Sequence, residues 1–328
     1  MRTTGDLKAS RLDPLLHDID LPLVATLHPL GVRLDIATNS CDVLEAAEEC
    51  WGRYRPEFPY PPLSFRVIVQ PKGRLARPPA FRCHGHLYAV VSDMHNFAIA
   101  DLDRLSACIF VSEKTAAEHT WLRWFFVEAL CYALAAQRYL VPLHAACVAR
   151  SGVGALLCGP SGAGKSTLAF ACARAGWDFV SDDCTFLVTD ADDRMAIGKP
   201  HHARFRDGAG ALFRELEGYV ARALPHGKLS IEIPLSAFPE ISTAVRCRIG
   251  CLVALDRRPG AARAARMPSG EAIEPLLQAG PFYGAEVAAR HRQVIGRLLG
   301  VPAYRLHYET LDDAIGMLRE LAAAPEEP

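Results

Sequence analysis

Residues 156–183, "LLCGPSGAGKSTLAFACARAGWDFVSDD", decide how the chain is read. Gly159, Gly164, Lys165 and Ser166 occupy every fixed position of the phosphate-loop pattern G-x-x-x-x-G-K-[ST]. The context agrees with the spacing. "VGALLC" ahead of the loop is an apolar, strand-like run, and "STLAFACARAG" behind it predicts a helix ending at Gly176. Glycines let the backbone curl so that successive N–H groups point at phosphate oxygens, and a helix N-terminus adds partial positive charge. The expected phosphate-binding set is Gly159, Ser161, Gly162, Ala163, Gly164, Lys165, Ser166 and Thr167. Lys165 would neutralise the β- and γ-phosphates of ATP, and the Ser166 hydroxyl would ligate Mg²⁺.

One helix later "WDFVSDD" reads as a short strand closed by Asp182 and Asp183. In a right-handed βαβ unit the two strands run parallel, so both C-terminal ends lie on one edge, where ligands bind. The aspartates therefore arrive beside the loop. One can complete a Mg²⁺ shell, and the other can take a proton from an attacking hydroxyl. Two adjacent carboxylates near phosphate also repel each other, which raises one pKa. The competing reading is a solvated turn, where Asp is common.

Upstream, "VPLHAACVARSGVGALLCG" predicts a hairpin turning at Ser151-Gly152. Pairing Arg150 with Val153 and continuing the register sets His144 opposite Gly159. There it would orient or tune an aspartate, whereas a one-residue slip would turn it to the other face.

Outward from this centre the pattern is strand, loop, helix, strand, as in a nucleotide-binding α/β domain. "DRRPGAARAARMPSG" reads as loop, and the tail as helix, strand, helix. Ahead of residue 116, "ATLHPLGVRLDIATNS", "LSFRVIVQ" and "SACIFVS" predict strands, and Ser40 is placed to cap a helix. The expected division is an α+β domain at 1–115 and a phosphate-loop domain at 116–328, with a helix from about Ala116 to Tyr139 leading into the second. The first domain carries no chemistry-bearing motif, which leaves it acceptor or partner recognition.

The chain has 36 basic and 37 acidic residues and a net charge of -1, which argues against general nucleic-acid binding. "WLRWFFVEALCYALAAQRYL" is interrupted by charges and reads as a buried helix, not a membrane span. The N-terminus shows no apolar signal core, so a cytoplasmic protein is expected. Eleven cysteines in apolar stretches read as small buried hydrophobes of a reducing compartment. Cys83, His84 and His86 form one isolated cluster with no second group of ligands.

Together the His144 hairpin, "GPSGAGKS" and "SDD" resemble the bacterial HPr kinase/phosphorylase family, closest to its shorter related kinases with a different N-terminal domain. The resemblance is specific over residues 140–190. It implies an α/β fold in which a hairpin precedes the phosphate loop in a mixed sheet. It also implies ATP- and Mg²⁺-dependent transfer to a serine hydroxyl of a protein or peptide, and a capacity for self-association. It places Lys165 on the phosphates, Ser166 on the metal, and Asp182 and Asp183 as base and metal partner with His144 beside them. Asp182 is assigned the base and Asp183 the metal, an order the sequence leaves open. Where the best-known members carry an acidic residue directly after Lys-Ser, this chain has Thr167.

Arg204, Arg206 and Lys228 lie on downstream segments and are candidates to clamp phosphates or an acidic acceptor, or else ordinary surface charge. Two other readings stay open. One is a nucleotide-dependent ATPase or switch that passes phosphate to water. The other is a carboxykinase-like enzyme acting on a small organic acid.

Overall fold

A computed structural model describes residues 19–190, 194–206, 208–223, 229–278 and 284–323. The backbone divides into two compact units, Met1–Leu134 and Ala135–Pro328. This divide lies beyond the 115/116 boundary read from the sequence, because the helical run after residue 112 packs with elements of the first unit.

In the first unit, strands β1 (Leu23–Leu27) and β2 (Leu34–Thr38) flank a turn at Pro29–Gly31. Helix α1 (Cys41–Trp51) follows, then β3 (Leu63–Gln70), β4 (Ala80–His84), β5 (Leu87–Val91), β6 (Phe97–Asp101) and β7 (Ser106–Ser112). They form a seven-stranded sheet in the order β1-β2-β3-β7-β6-β5-β4. Ser40 holds the N-cap position of α1, but its hydroxyl makes no cap hydrogen bond. The single helix expected near 116–139 is broken into α2 (Glu113–Ala117), α3 (His119–Leu122), a π turn at Arg123–Val127 and α4 (Glu128–Arg138). Cys83, His84 and His86 sit on the exposed β4–β5 hairpin, and their ligand atoms do not converge.

The second unit begins with β8 (Leu140–Leu143), β9 (Ala146–Arg150), β10 (Val153–Cys158), α5 (Lys165–Arg174), β11 (Asp178–Ser181), β12 (Thr185–Val188) and β13 (Met195–Ile197). Next come β14 (His202–Arg206), β15 (Arg222–Ala223), β16 (Leu229–Pro234), β17 (Arg246–Arg257) and β18 (Arg263–Met267). Helices α6 (Ser269–Gln278) and α7 (Ala285–Gly296), strand β19 (Ala303–Tyr308) and helix α8 (Leu311–Ala323) complete it. The "DRRPGAARAARM" stretch read as loop is thus mostly strand, because β17 runs on through Arg257 and β18 pairs with β19.

Nine strands make one mixed sheet, with β11-β9-β10-β17 in sequence from one edge. The hairpin register is the expected one, Val153 opposite Arg150 through Leu157 opposite Ala146. β10 runs parallel to β17, and β17 parallel to β19. β11 is antiparallel to β9, which is antiparallel to β10, so β10 and β11 point the same way with β9 between them. The long strand β17 serves two neighbours on one edge, β13 with its first residues and β19 with its last.

Helix α5 is an alanine-rich run with Leu168, Phe170 and Cys172 buried on almost every side. The Phe170 ring meets Phe205, Phe213 and Phe238 edge-on, at centroid distances of 5.2, 5.0 and 5.7 Å. This packing ties the three-stranded sheet β14-β16-β15 to the helix that follows the glycine loop.

Candidate functional site

The loop between β10 and α5 needs its glycines. Gly162 and Gly164 have φ of 94° and 93°, in the left-handed region that L side chains avoid. A Cβ on Gly159 would lie 2.8 Å from the Ala163 Cβ, so the loop is folded tightly on itself. No side chain caps the first turn of α5. Its leading N–H groups and the positive end of its dipole therefore face the loop.

Lys165 is 6% exposed and folds back over this loop. Its Nζ donates to the carbonyls of Gly159 at 2.8 Å and Pro160 at 3.3 Å. It also meets His144 Nε2 at 3.2 Å. Burial lowers the Lys165 pKa, opposed by Asp183 and Cys158, while Arg206 lowers it further.

His144 is where the sequence reading of the hairpin is half corrected. The apolar run 140–150 is not one strand. It breaks at a three-residue turn, closed by Ala145 N–H donating to Leu143 C=O at 2.8 Å. β8 then pairs with β12, and only β9 pairs with β10. His144 stands at the apex of that turn, with Nδ1 3.3 Å from Asp183 Oδ1. An ammonium group can only donate, so Nε2 accepts from Lys165 and the ring hydrogen rests on Nδ1, facing Asp183. His144 thus bridges the loop lysine and a carboxylate.

Three hydroxyls hold the aspartate turn in place. Ser181 Oγ donates to Cys184 C=O at 2.6 Å, Ser166 Oγ to Asp182 C=O at 3.2 Å, and Thr185 Oγ1 to Ala145 C=O at 2.9 Å. The first closes the turn, the second ties it to α5, and the third ties it to the His144 turn. The two carboxylates differ sharply. Asp182 is 4% exposed and accepts from Arg204 N–H at 2.7 Å, whereas the Asp183 side chain is 55% exposed. Burial raises the Asp182 pKa, and Asp183 adds to the rise, while Arg204 and Lys199 pull it down.

Arg204 and Arg206 are set by alternation along β14. Ala203 and Phe205 are buried in the core around Phe170, so the two arginines point to the opposite face. Arg204 Nε pairs with Glu232 Oε2 at 2.7 Å, and Arg206 reaches the loop, donating to Ser161 Oγ at 2.8 Å. Lys228 lies outside the described residues. Ala163 and Thr167 belong to the loop and first helical turn, but no side-chain contact marks them.

Sequence reasoning missed Lys199, which acts on Asp182 electrostatically, and Glu232, which holds Arg204. It also missed Tyr308, whose hydroxyl would be 3.2 Å from a Cβ on Gly164. No local pattern in the chain signals any of them.

The arrangement can bind an anion at the loop and handle a proton at the aspartates. Its donors, an uncapped helix end, Lys165 and Arg206, suit a polyphosphate. Its oxygens, Ser166 and the two aspartates, suit a hard divalent cation such as Mg²⁺.

Residues 108–206 match the family model of SynChlorMet cassette protein ScmC. That span runs from β7 to β14 and includes His144, the loop, the aspartate turn and Arg206. No curated protein sequence matches the chain. Among solved structures, the chain is similar to the Hpr(Ser) kinase/phosphatase from Coxiella burnetii, at 13% identity and a TM-score of 0.30. That similarity covers 55% of this chain and 95% of the other. No helix among the described residues is long and apolar enough to cross a membrane.

Proposed function

We propose that the chain is an ATP- and Mg²⁺-dependent kinase of HPr-kinase type, transferring the γ-phosphoryl group to a serine hydroxyl of a protein or peptide. The observation that carries this reading is the His144 bridge. One imidazole joins the lysine of a phosphate-binding loop to one of two adjacent carboxylates, 3.2 Å from the first and 3.3 Å from the second. A phosphate-binding group and a carboxylate suited to the metal are thereby held within one site, with the buried Asp182 next in the chain.

Asp182 is the base, because burial makes its carboxylate more basic than an ordinary aspartate. It takes the proton of the acceptor hydroxyl as that oxygen bonds to the γ-phosphorus. The bond from phosphorus to the bridging oxygen breaks, and ADP leaves with that oxygen's charge. Lys165 and Arg206 neutralise charge on the phosphates. Asp183 and Ser166 are the residues to hold Mg²⁺, which when bound screens the phosphate oxygens. His144 holds Asp183 in orientation. The first unit is left the role of recognising the acceptor.

The test is γ-labelled ATP with Mg²⁺ and purified protein, added to a lysate of the source cells and resolved by size. A labelled protein or peptide that Asp182→Asn fails to produce supports the kinase and identifies its acceptor. Free phosphate alone points to the ATPase or switch. A labelled small acid points to carboxykinase-like chemistry.

A further inference from the structure

The edge around the glycine loop has two sides. The carboxylates, His144 and Arg206 account for one. On the other side lie the ends of β17 and β19, whose polar groups take no part in the transfer chemistry. Tyr308 closes β19 and is fully buried, yet its hydroxyl has no hydrogen-bond partner among the described residues. That hydroxyl is aimed at Gly164, the N-cap of α5, 3.2 Å from where a Cβ would stand. An unpaired buried hydroxyl is costly, which makes it informative.

Arg257 is opposite Tyr308 in the β17–β19 register and its charge acts on that hydroxyl. It is exposed and makes no ion pair among the described residues. The end of β17 also abuts the start of the loop, since a Cβ on Gly159 would be 3.9 Å from the Leu255 Cβ. An arginine and an unsatisfied hydroxyl therefore flank the helix N-terminus, on the side away from the aspartates.

A polyphosphate lying along the loop has a terminal end and an end bearing its organic group. The reacting phosphate must meet the base at Asp182 and the metal at Asp183. The other end then leaves across the strand ends that carry no carboxylate pair against the loop. We propose that the Arg257–Tyr308 edge receives the nucleoside end of the nucleotide, with Arg257 on the phosphate nearest the sugar. Tyr308 supports this from beneath, offering its hydroxyl to an oxygen that settles at the helix N-terminus. The proposal rests on the kinase reading for the direction in which the nucleotide lies.

Two binding measurements on the full chain test it. The first is photolabelling with 8-azido-ATP and Mg²⁺, followed by peptide mapping. Label within 256–262 or 308–310 is expected, and label confined to 161–206 or to the first unit overturns the placement. The second is the affinity of Mg·ATP by calorimetry. Arg257 is exposed, so Arg257→Ala leaves the fold intact. The expected result is about tenfold weaker binding, as for the loss of a charge-assisted hydrogen bond, with partial recovery in Arg257→Lys. Unchanged affinity in Arg257→Ala overturns the assignment. If the folded wild type binds no ATP, the kinase reading itself falls and takes this inference with it. If ATP binds tightly and the label lies elsewhere, only the inference falls.

Discussion

Each unit contains three parallel strands whose C-terminal ends share an edge, and the two edges are finished in opposite ways. In the first unit, β2, β3 and β7 end at Thr38, Gln70 and Ser112. Amides and hydroxyls, with the Asp93 carboxylate bonded to Asn96, close that edge on itself. Asn39 exchanges two hydrogen bonds with Val69, at 3.0 and 2.8 Å. Buried Asn96 donates to Arg74 C=O and accepts from Ser112 N–H, both at 3.0 Å. The Ser112 hydroxyl donates to Arg74 C=O at 2.8 Å and caps α2 by accepting from Thr115 N–H at 3.2 Å. In the second unit, β10, β17 and β19 end beside a buried lysine, a buried aspartate and an unpaired tyrosine hydroxyl. Strand ends of one geometry make either a finished joint or a site, depending on whether their polar groups satisfy one another. Charge held at cost on such an edge marks the place where a ligand is missing its partners.

The largest expected effect falls on the chemistry. Asp182→Asn should lower the rate of transfer by about 10²–10⁴-fold, the usual contribution of a positioned base, measured as initial rates with labelled ATP. Full activity in Asp182→Asn, with loss in Asp183→Asn, would exchange the two roles. The rate should also depend on pH in a sense fixed by the environments. The acid limb lies above the ordinary aspartate pKa of 3.8, because burial raises Asp182. The alkaline limb lies below the ordinary lysine pKa of 10.5, because burial lowers Lys165.

The next effect sharpens the contrast from the other side. Asn96→Ala removes the amide that joins Arg74 C=O, the Asp93 carboxylate and Ser112 N–H, and should cost about 1–3 kcal/mol for the buried Ser112 N–H left unpaired, read as a lower Tm. Affinity for Mg·ATP should stay within about twofold of wild type, since this edge takes no part in binding; that bound is well under the tenfold that about 1.4 kcal/mol represents. A parallel fall in affinity would break the comparison.

The smallest effect is a gain. A carboxyl whose pKa is raised by folding holds its proton more tightly in the native state, so ionising it costs stability as pH rises from 3.8 through the folded value. Asp182→Asn should therefore raise Tm at neutral pH, by about 2–4 °C per kcal/mol relieved. The gain should vanish in acid below the ordinary aspartate range. A lower Tm in the variant at neutral pH would mean that its bond from Arg204 N–H outweighs the burial.

Local spacing makes the loop and the aspartate turn legible in the sequence. Glycine, lysine and serine fall within a few residues, and a single ten-residue helix carries the chain to the carboxylates. His144 is reachable through strand register, although the strand expected to carry it breaks at that residue. Arg206 can be named but not placed, since its reach to Ser161 depends on Phe205 packing against Phe170. Arg257 and Tyr308 are invisible to local spacing. They meet only because β17 runs on past Leu255 to Arg257 and there pairs with the end of β19, after β18, α6 and α7 have intervened in the chain. A long-range parallel pairing of this kind leaves no mark on either segment's own pattern.

The most direct test of the central claim is a calorimetric titration of Mg·ATP into the wild-type chain and into Lys165→Ala, with circular dichroism to confirm that both are folded. Saturable binding by the wild type and none by the variant is the predicted result. Equal affinity in the two proteins, or no binding by a folded wild type, would contradict the assignment of this edge as the nucleotide site.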